Sequence, residues 1–491
     1  MVDNIQNPQG KKIATDSSKL SIAQFTSLGI SMVNIMLLSR FRTLEEYGTY
    51  SQLLMVSAIV VTFFSSGFSQ CINYFLANAE NPEDRKSFIK NYYFILSISG
   101  LLGGIVGVSL IPVLADYFNN EAIKTYFFVL LIYPFANILN NGADRLFIVY
   151  KKANQLILFK IRYSITSLLT VSLAVFFQWS FYNYLIVFIS VELFFAFLIY
   201  FFVYKITNVV PIGFNADICK KIIMFAVPMG LAALVAVINT ELNRLIIGGL
   251  VDTETLAVYT NAAKELPITV FCTSISAVVM PFVVRNIQNG NNNEAVKLWN
   301  HSIKLSAYIM CFFAVAFFVF APQVISVLYS NKFLSGVWVF RIYLLVLLFR
   351  LTYYGMILNA QGSTKIILVC SLISIAINII LCYVFFNIMG VIGPALATVI
   401  AVASMNIYQL YRTKKSLGVP FAAIYPVSSI LRILVLNIVI SVFFFGAQQL
   451  AFKFIPLNQN LITIFLGAIW AAVYFIIVRK KFFSIWRKLN R

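Results

Sequence analysis

Long apolar runs recur along the whole chain, separated by short polar intervals, and most reach the roughly 20 residues that a bilayer core requires. Read as helices they give fourteen spans, at about 21–39, 49–77, 88–113, 124–142, 157–178, 182–204, 221–250, 256–283, 302–329, 336–359, 366–386, 391–411, 427–451 and 460–478. The longer ones leave room for tilt. The runs are continuous, whereas barrel strands alternate apolar and polar over roughly ten residues, so an all-α integral membrane fold is expected. No interval between the spans holds a soluble domain of any size. The first stretch, MVDNIQNPQGKKIATDSSKL, is polar, with no short apolar core ending at a small-residue cleavage site. The first span is therefore expected to be retained rather than removed as a signal.

The pattern repeats. SRFRTLEEYGTYSQ (39–52) and GGLVDTETLAVYTN (248–261) align at a shift of 209, with Glu45 on Glu254, Tyr50 on Tyr259 and Gln52 on Asn261. A fainter echo at nearly the same shift links VYKKANQLIL after span four with NAQGSTKIIL after span ten. The shift equals six spans, an even number that preserves direction. Two parallel repeats related by an axis along the membrane normal are expected. They give an N-terminal lobe (1–209, spans one to six), a C-terminal lobe (210–417, spans seven to twelve) and an appendix (418–491) with spans thirteen and fourteen and a basic tail.

Composition agrees: the chain is 60% hydrophobic and 11% charged, with mean hydropathy +0.87. Soluble domains are roughly half apolar and a quarter charged. The net charge of +20 suggests nucleic acid only if its location is ignored. With the N-terminus inside, 28 of the 37 basic residues fall on cytoplasmic segments and helix ends, leaving nine elsewhere. That is the positive-inside bias, and it places both termini in the cytoplasm. The six cysteines are scattered without metal-like spacing and read as packing residues, and the lone His301 gains no role. No metal and no cofactor is expected.

Ionisable residues inside spans are rare because each costs about 2.5–3.5 kcal/mol at mid-bilayer on insertion scales. Here they are Glu192 in span six, Glu241 and Arg244 in span seven, Lys264 and Glu265 in span eight, and Arg341 and Arg350 in span ten, with Arg40 and Arg42 at the outer end of span one. Six cations face three acids. Arginine cannot shed its proton, and its planar fork matches phosphate oxygens, so Arg40, Arg244, Lys264, Arg341 and Arg350 are expected to line a cavity for an anion. The plainer alternative is that Glu241 and Arg244, three residues apart, neutralise each other, and that Arg40 and Arg341 snorkel to the interface. Glu192 is either neutral and open to proton coupling or paired with a cation of another helix. Asn239, Asn243, Tyr259, Asn261, Tyr353, Tyr354 and Asn359 supply amide and aromatic walls. Pro228, Pro267, Pro281 and Pro394 mark expected kinks, where Pro removes a backbone bond.

FAVPMGLAALVAVINTELNRLIIGGLVDTETLAVYTNAAKELP resembles helices seven and eight of the polysaccharide-exporter branch of the MOP superfamily, the Wzx-type flippases. Pro228 stands at that family's early proline, Asn243 and Arg244 at its Asp-Arg-like pair, Glu254 in its short acidic loop and 259–262 at its Tyr–small–Ala run. GVIGPALATVIA (390–401) looks like the glycine-rich entry to helix twelve. One departure is Asn243, where an acid is common, which speaks against a proton or cation role there. The resemblance implies a V-shaped, MATE-like pair of six-helix lobes around a central cavity. It also implies an oligosaccharide repeat unit on undecaprenyl diphosphate as cargo, with O-antigen the first choice of glycan.

The expected function is therefore a lipid-linked oligosaccharide flippase of the bacterial inner membrane. It would work by alternating access, alongside a repeat-unit polymerase and a chain-length regulator. A MATE-type cation-coupled drug or metabolite exporter is the alternative, but span one, SIAQFTSLGISMVNIMLLS, carries no acid. A membrane glycosyltransferase needs a larger extramembrane loop than any here. No P-loop or other hydrolytic motif is visible, so the chain reads as a transporter, not an enzyme.

Overall fold

In lipid, backbone N–H and C=O groups must find partners within the protein, and continuous apolar runs do so as helices. A computed structural model describes residues 8–79, 81–264 and 266–489, with side chains from residue 24 except 77, 78, 232, 233, 235, 236 and 239. The described residues are mainly helical, with no strand among them. Among the described residues ten segments are long and apolar enough to cross a bilayer, one of which, Thr364–Leu417, contains the two helices expected as spans eleven and twelve. The expected spans one, four and seven lie on helices Pro8–Phe41, Phe127–Leu139 and Ala216–Gly248. Large apolar side chains such as Val442, Phe443 and Phe176 point outward, 70–78% exposed, which suits acyl chains and not water. The molecule is an integral multi-pass membrane protein.

It packs as two compact units, Met1–Ala257 and Val258–Arg491. In the first, Leu44–Ser65 lies against Pro82–Ser109, Phe127–Leu139 and Ala216–Gly248. Gly104 and Gly107 let Pro82–Ser109 approach the backbone of Phe127–Leu139 so closely that a Cβ at either position would strike the Leu131 or Leu130 carbonyl. Small residues at such crossings are how membrane helices gain packing energy. Pro8–Phe41 packs on Ala153–Phe176, joined by Asn34 Nδ2 to Ser167 Oγ at 2.9 Å. In the second unit Asn292–Val319 is the central helix, packed on Thr269–Gln288, Val427–Phe454 and Gln459–Leu489. Trp470 is fully buried there, stacked on Phe444 at 5.3 Å.

Side-chain caps start two helices that lie 209 residues apart in the sequence echo. Thr43 caps Leu44–Ser65 in a capping box with Glu46. Its counterpart 209 residues on, Asp252, accepts from the Thr255 backbone N–H at 2.7 Å at the start of Thr253–Ala262. The fainter echo has a geometric equivalent too. Short helices Ala143–Val149 and Met356–Ala360 each pass through a left-handed residue, Lys151 or Gly362, into the long helices Ala153–Phe176 and Thr364–Met389.

Candidate functional site

Most of the intramembrane charges have local partners. Arg244 Nη1 lies 3.0 Å from Glu241 Oε2, so the plainer reading of that pair describes its geometry. Asn243 is half-buried beside it, while the Asn239 side chain and Glu265 lie outside the described residues. Arg341 donates from Nε to the Phe318 carbonyl at 3.1 Å and lies over the Trp338 and Phe318 rings at 4.9 and 5.4 Å. Arg42 donates to the Trp179 carbonyl at 2.9 Å and lies over Tyr184 at 5.2 Å. Arg40 is exposed at the end of its helix. Lys264 is half-buried at the interruption of span eight, against Phe340, Tyr343 and Leu344.

Glu192 is buried, and the group it meets is the Tyr163 hydroxyl, which donates to Oε1 at 2.5 Å. Of the two alternatives for Glu192, pairing with a cation is not what its geometry shows: its neighbour on Ala153–Phe176 is a tyrosine hydroxyl. Tyr259 and Asn261 are each 1% exposed, so they pack inside the protein rather than wall an open space. Tyr354 is likewise buried, its hydroxyl 2.9 Å from that of Tyr425. The prolines divide: Pro228 and Pro281 sit inside helices, whereas Pro267 lies in the non-helical stretch before Thr269–Gln288. Pro394 stands in the first turn of Gly393–Leu417, a position that needs no N–H, so it starts a helix rather than kinking one.

The unexpected feature is that span ten is not one helix. It runs as Val337–Leu344, a 3-10 segment Leu345–Phe349, an unwound stretch 350–355 and the short helix Met356–Ala360. Side chains from three other helices hold the unwound backbone and its neighbours. Asn406 Nδ2 donates to the Phe349 carbonyl at 2.7 Å, Trp299 Nε1 to Thr352 Oγ1 at 3.0 Å, and the Tyr353 N–H reaches Ser276 Oγ at 3.4 Å. Arg350, Tyr353 and Asn359 are the expected site residues that stand exposed on this segment. Unwound backbone at membrane depth persists only where protein buries it or it lines a watery cavity.

Span four ends in a similar break, at 140–142, between Phe127–Leu139 and the short helix Ala143–Val149. Its turn is held by Asn141 Nδ2 to the Ser65 carbonyl at 3.1 Å and by the Tyr92 hydroxyl to the Asn141 carbonyl at 3.2 Å. Asn140 and Arg350 are 210 residues apart, one more than the 209-residue shift of the sequence echo. Spans two and eight are broken as well, between Leu44–Ser65 and Phe68–Asn78 and between Thr253–Ala262 and Thr269–Gln288, so what sets span ten apart is the exposed Arg350 at its break. Sequence reasoning ended span four at this turn, but it missed the breaks in spans eight and ten and the bracing residues Asn141, Trp299, Ser276 and Asn406. The signal available was the Asn-Asn-Gly run at 140–142, a breaker inside an apolar segment.

A family model described as polysaccharide biosynthesis protein matches residues 37–337. Two curated relatives, each a "Probable lipid II flippase MurJ", are 24% identical over 202 residues (Rhizobium tropici) and 22% over 190 residues (Rhizobium meliloti strain 1021). Those matches cover 40% and 37% of this chain and only 38% and 36% of the relatives. Among solved structures, a lipid II flippase MurJ in an inward closed conformation superposes with TM-score 0.73 at 18% identity, covering 94% of this chain and 99% of that one. An inward-facing multidrug resistance MATE family transporter of the MOP superfamily gives TM-score 0.60 at 16% identity, covering 82% and 98%. At such identities the likeness is one of fold.

Proposed function

The chain belongs to the polysaccharide biosynthesis protein family, the Wzx-like branch of the MOP superfamily, and from that premise we propose that it is a flippase for lipid-linked oligosaccharide. The cargo is an undecaprenyl-diphosphate-linked repeat unit, with O-antigen the first choice of glycan. It passes from the cytoplasmic to the outer leaflet of the bacterial inner membrane by alternating access. The termini face the cytoplasm, and residues 1–209 and 210–417 act as the two repeats, with 418–491 appended. A repeat-unit polymerase and chain-length regulator receive the product. The chain is a carrier rather than an enzyme.

The observation that carries this reading is Arg350: a permanent cation, exposed, on an unwound stretch in the middle of an apolar span. A guanidinium so placed suits a diphosphate, and Tyr353 and Asn359 beside it suit sugar hydroxyls. Arg244 is a weaker phosphate ligand because Glu241 already neutralises it. The MATE fold alone keeps the exporter alternative in view, and a drug-susceptibility panel separates the two.

The test is glycan export in a flippase-null strain. Arg350→Glu at normal abundance is expected to lower surface glycan at least about tenfold, the cost of roughly 1.4 kcal/mol or more in binding. Arg350→Lys keeps part of it, and Arg244→Glu costs less than Arg350→Glu. Export at the wild-type level from Arg350→Glu refutes the assignment.

A further inference from the structure

All 17 acidic residues lie at or before Glu294, whereas 17 of the 37 basic residues follow it, so 295–491 offers its cations no carboxylate of its own. Four of those cations, Lys304, Arg432, Lys480 and Lys481, converge on one cleft of about 500 Å3. It lies where Asn292–Val319, Val427–Phe454 and Gln459–Leu489 pack against one another. Ser429 and Ser484 add hydroxyls at the rim. Two of the three, Asn292–Val319 and Gln459–Leu489, are tied together at this level. The Tyr474 hydroxyl donates to the Tyr308 carbonyl at 2.8 Å, and the Tyr308 ring meets Phe482 at 6.3 Å. The cations are thus held close by packed helices and not by a mobile loop.

Four like charges in one cleft repel, and an anion relieves that repulsion. The cleft is not a purely aqueous bowl, because Leu436 and Ile477 form part of its wall. Beside Arg432, an exposed apolar ridge of Leu431, Val435, Val439 and Val442 descends Val427–Phe454, its side chains 52–70% exposed. A phosphate above and a greasy track below match the two ends of a phospholipid. Basic pockets between membrane helices take anionic head groups in this way.

We infer that this cleft is a binding site for an anionic glycerophospholipid, separate from the transport path. The phosphodiester sits among Arg432, Lys480, Lys481 and Lys304, and one acyl chain lies along the Leu431–Val442 ridge. The occupant is a lipid of the surrounding bilayer and not the transported diphosphate. The inference does not depend on what the protein carries.

Native mass spectrometry of the full-length protein in neutral detergent tests it, with phosphatidylglycerol and phosphatidylcholine offered in equal amounts. Phosphatidylglycerol is expected to be retained roughly tenfold better, and the triple variant Arg432→Gln, Lys480→Gln, Lys481→Gln to lose that preference. A charge-matched control, Arg412→Gln, Lys414→Gln, Lys415→Gln, keeps it. Equal retention of the two lipids by the wild-type protein overturns the inference without any variant. So does equal loss in both triple variants, which reduces the effect to net charge. Displacement of phosphatidylglycerol by millimolar inorganic phosphate assigns the cleft to a soluble anion and overturns the lipid as occupant.

Discussion

At the scale of single residues, the buried charges differ in what already satisfies them. Arg341 is held by a carbonyl and two aromatic rings, Glu192 by a tyrosine, and Arg244 by Glu241. The Glu241 and Arg244 side chains are 16% and 27% exposed, so solvent screens the pair and its net worth is small, roughly 0–1 kcal/mol. The expected outcome of a double-mutant cycle with Glu241→Gln and Arg244→Gln is a coupling of about 0.5–1 kcal/mol, read from unfolding midpoints. The double variant should be nearly as stable as either single one. Additive losses mean that each side chain has another partner of equal weight. Arg341→Gln is expected to cost stability through its cation–π contacts, about 0.5–2 kcal/mol, with little change in glycan export. A loss of export as deep as that of Arg350→Glu makes Arg341 a cargo ligand instead.

At the scale of elements, the breaks at the end of span four and within span ten rest on few bonds. Asn406→Ala orphans the Phe349 carbonyl, and an unsatisfied buried group costs about 1–3 kcal/mol. The variant is expected to melt earlier and export less, and an unchanged melting midpoint shows that the bond braces nothing. Gly142 has φ +78°, and a Cβ there would collide with the Tyr92 hydroxyl and Ile72. Gly142→Ala should cost about 1–2 kcal/mol from the left-handed backbone alone. Adding Tyr92→Phe removes the colliding oxygen along with its bond to the Asn141 carbonyl, so only partial recovery is expected. The long helices were legible in the sequence because apolar length alone specifies them. The break in span ten was not, since LLVLLF before it reads as continuous helix and its supports at Ser276, Trp299 and Asn406 are distant in sequence. Arg350 was legible as a charge out of place, while Tyr259 and Asn261 were polar only in composition and turn out buried.

At the scale of the whole molecule, the proposed orientation rests on a charge count, and the six native cysteines make it testable. Cys71, Cys219, Cys272, Cys311, Cys370 and Cys382 are all buried, so the unmodified chain should react little with a membrane-impermeant maleimide. Lys415 is exposed before the helix Val427–Phe454 and Leu457 is exposed after it. That helix has 28 residues, about 42 Å at 1.5 Å per residue, long enough to carry the chain across the hydrocarbon core. Lys415 sits in the basic cluster with Arg412 and Lys414, which the positive-inside rule keeps in the cytoplasm. Leu457→Cys should therefore label in intact spheroplasts, and Lys415→Cys only after permeabilisation. The reverse pattern inverts the orientation and turns the proposed direction of transport around. Labelling of both from one side means that Val427–Phe454 does not cross, and with it the placement of the C-terminal basic cleft at a membrane face fails.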